Sequence, residues 1–283
     1  MAPVSRNAAF RNIRFSPDWI TRPLFGLLLA ALVVLATVKG PQYLALFVAA
    51  GAAFCVREWH RMVRPEAYRL EMAVSASSIC LALASLVLWP RGPFAWTVLA
   101  AGAVVAASMS IFRRASPLWQ GGGVLYIGAP ALALVAVRAI AQDGAWLVIG
   151  LFLIVWATDT GALVAGNLVG GPKLAPALSP NKTWAGTLGG VAAAAIVEAI
   201  YIEVLGGNPF VAGVYGAGLA VIAHAGDLFE SWAKRRFSRK DSGSLIPGHG
   251  GALDRVDSTL SAALALAILV LGLKANLLFG ARP

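Results

Sequence analysis

The stretch Phe94–Phe112 reads FAWTVLAAGAVVAASMSIF and carries no charge along its whole length. As a helix it is long enough to cross the roughly 30 Å hydrocarbon core of a bilayer. Runs of similar character recur at Ile20–Val38, Pro41–Val56, Ala73–Trp89, Trp119–Val137, Ala145–Leu163, Trp184–Leu205, Pro209–Leu228 and Leu260–Phe279. The chain is 59% hydrophobic and 13% charged, with a mean hydropathy of +0.75. That balance excludes an ordinary soluble domain. The runs lack the strict alternation of barrel strands, and open strands cannot satisfy their backbone groups in lipid. The expected fold is all-α, a polytopic membrane bundle of about nine transmembrane helices joined by mostly short connections.

Lysine and arginine placement orients this bundle. With nine spans, 18 of the 23 Lys and Arg residues fall on one side and 5 on the other. The positive-inside rule then puts the N-terminus in the cytoplasm. The first run does not resemble a cleaved leader, because Val38-Lys39-Gly40-Pro41 follows it in place of small residues. Cys55 and Cys80 lie in apolar runs and read as packing residues. The net charge of +10 fits topology and anionic headgroups, so no nucleic-acid partner is expected. Residues 1–140 read as a transmembrane scaffold and part of a lipid groove. Residues 141–283 hold the chemistry and form the catalytic region.

Polar residues concentrate in three segments of that second part. The longest is Ser231–Ser258, SWAKRRFSRKDSGSLIPGHGGALDRVDS, with six cations, three carboxylates and one histidine. The others are Trp156–Ala162, which contains Asp159, and Gly170–Trp184, which contains Lys182 and Thr183. The predicted topology brings all three to the cytoplasmic face. Asp159 and Asp227 then lie near the inner ends of their spans, and Asp254 and Asp257 near the start of the last one. An acid inside a span is costly unless paired or solvated. For Asp159 an ion pair or helix cap competes with a site role. Asp254 and Asp257 are spaced i, i+3 and share a helical face. They are either solvated acids at a helix N-terminus or a seat for a divalent cation, for which Mg²⁺ with phosphate oxygens is the best match. Zinc is disfavoured, since neither cysteine is near and no His-x-x-x-His pair exists. Gly248-His249-Gly250-Gly251 would let backbone N–H groups approach an anion. Lys234, Arg235, Lys240 and Lys182 read as phosphate contacts or as positive-inside charges. No Walker A pattern occurs, and Gly186 with Gly190 reads as a helix-packing pair.

Taken together, Ser231, Lys234-Arg235, Lys240-Asp241, His249-Gly250-Gly251 and Asp254-Arg255-Val256-Asp257 resemble the signature of the phosphatidate cytidylyltransferase family, the CDP-diacylglycerol synthases. The spacing is intact from Ser231 to Asp257. Asp159-Thr160-Gly161-Ala162 and Ser179-Pro180-Asn181-Lys182-Thr183-Trp184 are also similar to blocks of that family. Ala233, Ala252, Leu163, Asn181 and Ala185 depart from its usual residues without removing a central charge. The resemblance implies conversion of CTP and phosphatidate to CDP-diacylglycerol and pyrophosphate at the cytoplasmic side of the inner membrane, with one or two Mg²⁺ ions and a homodimer. The chemistry of that reaction leads us to expect catalytic roles for Asp227, Lys240, Asp254 and Asp257, with the metal on Asp227, Asp254 and Asp257. Substrate contacts are expected from Lys182, Thr183, Ser231, Lys234, Arg235, Asp241, His249, Gly250, Gly251 and Arg255, and Asp159 stands in a second tier. A CTP-dependent polyisoprenoid or phytol kinase, or a cytidylyltransferase for another lipid phosphate, is the alternative enzyme. A cation-coupled transporter would instead gather its acids at the midplane.

Overall fold

The computed structural model describes residues 18–243 and 251–272. Among them are nine α-helices: α1 Asp18–Lys39, α2 Pro41–Val63, α3 Arg69–Leu88, α4 Phe94–Phe112, α5 Pro117–Ile140, α6 Gly144–Val169, α7 Trp184–Val204, α8 Pro209–Arg236 and α9 Leu253–Ala267. The last continues into a π-turn, Ile268–Gly272. Seven are long and apolar enough to cross a membrane: α3 to α8, and α9 with its π-turn. This is an all-α polytopic membrane protein. The described apolar part of α1 is shorter, from Gly26 to Lys39, and α2 carries Arg57, Glu58 and Arg61 in its last turns.

Several helices extend beyond the apolar runs expected from sequence, α2, α8 and α9 by the most. α2 continues past Val56 to Val63, α8 continues past Leu228 to Arg236, and α9 begins at Leu253 rather than Leu260. Charged residues at a helix end remain hydrated, so the helix outlasts its hydropathy. In α8 the terminal cations Lys234, Arg235 and Arg236 also suit the negative end of the helix dipole. Ser231, Lys234 and Arg235 therefore project from a helix, not from a connection.

The described non-helical structure includes one small antiparallel hairpin, β1 Lys173–Ala175 and β2 Ser179–Thr183, with Lys173 opposite Thr183 and Ala175 opposite Ser179. It leads directly into α7, whose first turn is capped by Thr183: the hydroxyl oxygen accepts the Gly186 N–H at 3.0 Å. At the start of α8, Asn208 caps Phe210 and Val211 in the same way.

α5 is the hub. Buried residues make up 67% of its membrane-length stretch, against 28–39% for the other six. It packs on α2, α3, α4, α6 and α9. Large apolar residues such as Leu46, Phe112, Leu168 and Phe210 stay exposed on the outside. In water that surface would be an aggregation liability; here it faces lipid. Lipid gives no hydrophobic drive for helix association, so contacts depend on close backbone approach through small residues. At Gly190 of α7 an added Cβ would sit 2.6 Å from the Thr158 carbonyl oxygen of α6 and 3.0 Å from His224 Nε2.

That crossing yields a test. Gly190→Ala should lower thermal stability in detergent by roughly 1–3 kcal/mol through overpacking. Gly122→Ala, where nothing lies within 4 Å of the new methyl group, should be neutral or stabilising through helix propensity. Equal melting curves for both variants would count against glycine-dependent packing of α6 on α7.

Candidate active site where α6, α8 and α9 meet

The site begins where α8 crosses α9. At Gly226 an added Cβ would lie 3.0 Å from the Asp257 carbonyl oxygen and run into the Ser261 side chain. Only a glycine lets the helices approach this closely, and the approach sets Asp227 and Glu230 of α8 against Asp257 of α9. Asp257 is buried and accepts the Ser258 N–H at 2.7 Å. Beside it lies Glu230, fully buried, whose carboxylate oxygens have no hydrogen-bond donor. Its charge is met by Lys234 one turn on, with Nζ 3.3 Å from Oε1. Asp227 forms an ion pair with Lys182 of β2. Asp159 of α6 is exposed and lies within electrostatic reach of Asp227, Lys182 and Arg255.

A second knot forms around Asp254. Lys234 Nζ donates to its Oδ1 at 2.7 Å. The N–H groups of Ser242 and Gly251 donate to its Oδ2 at 3.1 and 3.0 Å. One carboxylate thus joins the end of α8, the segment after it and the start of α9. Glu58 of α2 completes the knot from the N-terminal half. Its Oε2 accepts Ser242 Oγ–H at 3.0 Å and the Leu253 N–H at 2.9 Å. Gly251 is buried there, and a Cβ on it would meet Glu58 Oε2 at 2.6 Å.

The structure therefore gathers Lys182, Asp227, Lys234, Gly251, Asp254 and Asp257 into one region, with Asp159 at its edge. Arg235 is exposed and donates to the Leu178 and Arg239 carbonyl oxygens at 3.4 Å, tying α8 to the hairpin. Lys240 and Asp241 are exposed, Ser231 is half-buried, and Arg255 is exposed but engaged with its surroundings. Thr183 serves as the α7 cap described above. His249 and Gly250 lie outside the described residues.

Two residues were not assigned from sequence. Glu230 carried a readable signal, being an acid one turn after Asp227 within an otherwise apolar helix. Glu58 sits among Arg57 and Arg61 and reads there as part of a solvated connection; only the tertiary structure turns it toward Ser242 and Leu253.

No group of three or more His, Cys, Asp or Glu side chains among the described residues converges closely enough to hold a metal by itself. Asp254 is already engaged by three donors. Near it, Asp227, Glu230 and Asp257 present carboxylate oxygens, of which those of Glu230 lack a hydrogen-bond donor, and oxygen ligands of this kind suit a hard cation that takes most of its coordination from phosphate and water.

A sequence profile of the cytidylyltransferase family matches residues 20–272. Over 150 residues the chain is 46% identical to a phosphatidate cytidylyltransferase of Brucella suis biovar 1 (strain 1330), covering 52% of this chain and 55% of that protein. Proteins of the same name from Rickettsia conorii (strain ATCC VR-613 / Malish 7) and Haemophilus influenzae (strain ATCC 51907 / DSM 11121 / KW20 / Rd) are 40% identical over 152 residues and 42% over 125. These matches cover 51% and 42% of this chain, and 66% and 43% of the two relatives. The chain spans about half the length of the curated relatives it matches most strongly.

Glu58→Ala should leave the Leu253 N–H and Ser242 hydroxyl without their acceptor, at a cost of about 1–3 kcal/mol. Hydrogen exchange in detergent should rise about tenfold or more at residues 251–255, while the cores of α4 and α5 stay protected. Unchanged exchange at 251–255 would show that Glu58 does not hold this segment.

Proposed function

The chain belongs to the cytidylyltransferase family, and from that premise we propose that it transfers a cytidylyl group from CTP to phosphatidate at the cytoplasmic face of the inner membrane. The names of its relatives support the choice of substrates. The observation that carries the reading is the meeting of Lys182–Asp227 with the buried Asp257–Glu230 pair at one end of the bundle. A transporter site would lie at mid-depth between its repeats.

In this reaction a phosphate oxygen of phosphatidate attacks the α-phosphorus of CTP. The bond from that phosphorus to the bridging oxygen of the β-phosphate breaks, and pyrophosphate leaves with the electron pair. The nucleophile is already ionised at neutral pH, so no strong general base is needed. The difficulty is to bring two anions together and to stabilise the leaving group, which fixed positive charge does directly. Lys182 would exchange Asp227 for a phosphate oxygen when the nucleotide arrives. Lys234 is held on station by Glu230 and Asp254, and Arg235, Lys240 and Arg255 supply further charge. Ser231, Thr183, Asp241, His249, Gly250 and Gly251 are assigned to substrate contacts, and Asp159 to the outer rim.

Mg²⁺ would be held by Asp257 and Asp227, with Glu230 behind them and Asp254 fixing the adjoining backbone. Bound there, it would supply charge neutralisation for the triphosphate. The lipid keeps its acyl chains in the bilayer throughout, so nothing has to be extracted into water.

The test is an assay of the full chain in mixed micelles. Pyrophosphate release should require CTP, phosphatidate and Mg²⁺ together. Asp257→Asn should reduce turnover by about 100-fold or more while the protein stays folded by thermal melt. Near-wild-type activity of that variant would remove Asp257 from the site, and CTP consumption yielding CDP would indicate a kinase instead.

A further inference from the structure

The N-terminal half contributes a cavity of about 320 Å³ beside the site, lined by Arg57, Glu58, Arg61, Arg239, Asp241 and Ser242. Its size is at the low end of ligand pockets, suited to a headgroup and not to a whole lipid. Three guanidinium groups meet here, and none makes an ion pair or a side-chain hydrogen bond among the described residues. Of the two acids, Glu58 is turned inward to Ser242 and Leu253, leaving only the exposed Asp241 as a counter-charge. Positive-inside placement explains why arginines occur on this side. It does not explain their convergence on one cavity.

The outer face of α2 leads to the same place. Tyr43, Leu46, Ala50, Phe54, Arg57 and Arg61 follow spacings of three and four and so share one helical face. Tyr43, Leu46 and Phe54 are 50%, 70% and 47% exposed. An apolar, lipid-facing stripe thus ends in two arginines at the membrane surface. Ser242 links this cavity to the acids, since its hydroxyl is bound by Glu58 and its N–H by Asp254. Lys182 approaches those acids from a different element, the hairpin before α7.

We propose that Arg57, Arg61 and Arg239 form the seat for the phosphate monoester of the lipid substrate, with its acyl chains along the exposed stripe of α2, and that the nucleotide phosphates enter on the Lys182 side. This assignment rests on the cytidylyl-transfer reading. Guanidinium groups suit it because they bind phosphate oxygens in pairs. A monoester can carry a second negative charge that a phosphodiester headgroup lacks, so three cations favour phosphatidate over phosphatidylglycerol.

The test uses the full-length protein and the double variant Arg57→Ala/Arg61→Ala in two experiments. Native mass spectrometry without CTP should show the wild type retaining phosphatidate over phosphatidylglycerol and the variant losing that preference. In steady-state assays the variant's KM for phosphatidate should rise about tenfold or more, while its KM for CTP stays within about twofold. Arg57→Lys/Arg61→Lys, which keeps the charge, should fall between, and a thermal melt checks folding. Phosphatidate retention equal to wild type, or a rise in the CTP KM instead, overturns the assignment. Equal loss of both lipids also overturns it, leaving a general anionic surface. Absence of turnover in the wild type would sink the cytidylyl-transfer reading, while the lipid-retention experiment would still decide whether the arginines select a monoester.

Discussion

Negative charge crowded at the edge of a low-dielectric slab must be answered by positive charge, and that demand shapes one end of this bundle. Asp227, Glu230, Asp254 and Asp257 meet where α8 and α9 cross closely at Gly226, and Asp159 of α6 lies within electrostatic reach of Asp227. Removing Lys234 would leave Glu230 as an uncompensated buried charge, which is strongly destabilising. Lys182 and Lys234 meet part of the demand. Of the buried pair, Glu230 is met by Lys234 alone and Asp257 by the Ser258 N–H, and on the proposed reading a cation with its phosphates would supply the remaining positive charge.

The two halves of the chain serve this arrangement differently. α8 and α9 carry the acids, and the hairpin before α7 delivers Lys182. α5 packs against helices of both halves, and Glu58 on α2 grips the residues flanking the signature's glycines. The N-terminal helices therefore do more than fill the membrane. They hold Ser242 and Leu253 through Glu58 and place Arg57 and Arg61 beside Ser242.

Much of this was legible in the sequence, for identifiable reasons. Long uncharged runs have few options in lipid other than helix, so the all-α class follows from Phe94–Phe112 and its repeats. The i, i+3 spacing of Asp254 and Asp257 holds in α9, and Gly186 with Gly190 does pack α7 on α6. Hydropathy was a poor guide to helix ends, because Lys234 to Arg236 extend α8 while remaining polar. The pairing of Lys182 with Asp227 joins residues 45 apart in sequence, and Glu58 reaches Leu253 across 195. Such contacts depend on tertiary packing and leave no local periodicity to read. The role of Asp254 as an organiser of backbone was equally hidden, since a motif gives residue types and not which acceptors are already filled.

The central claim is that this acid cluster receives a cation and a triphosphate at the inner membrane surface. An experimental structure of the full chain in lipid nanodiscs, with Mg²⁺ and a non-hydrolysable CTP analogue, tests it most directly. The account predicts cation density in contact with Asp257 and Asp227, and the Lys182 ammonium moved from Asp227 onto a phosphate. A bound nucleotide with the Lys182–Asp227 pair intact and the metal on other residues would contradict it.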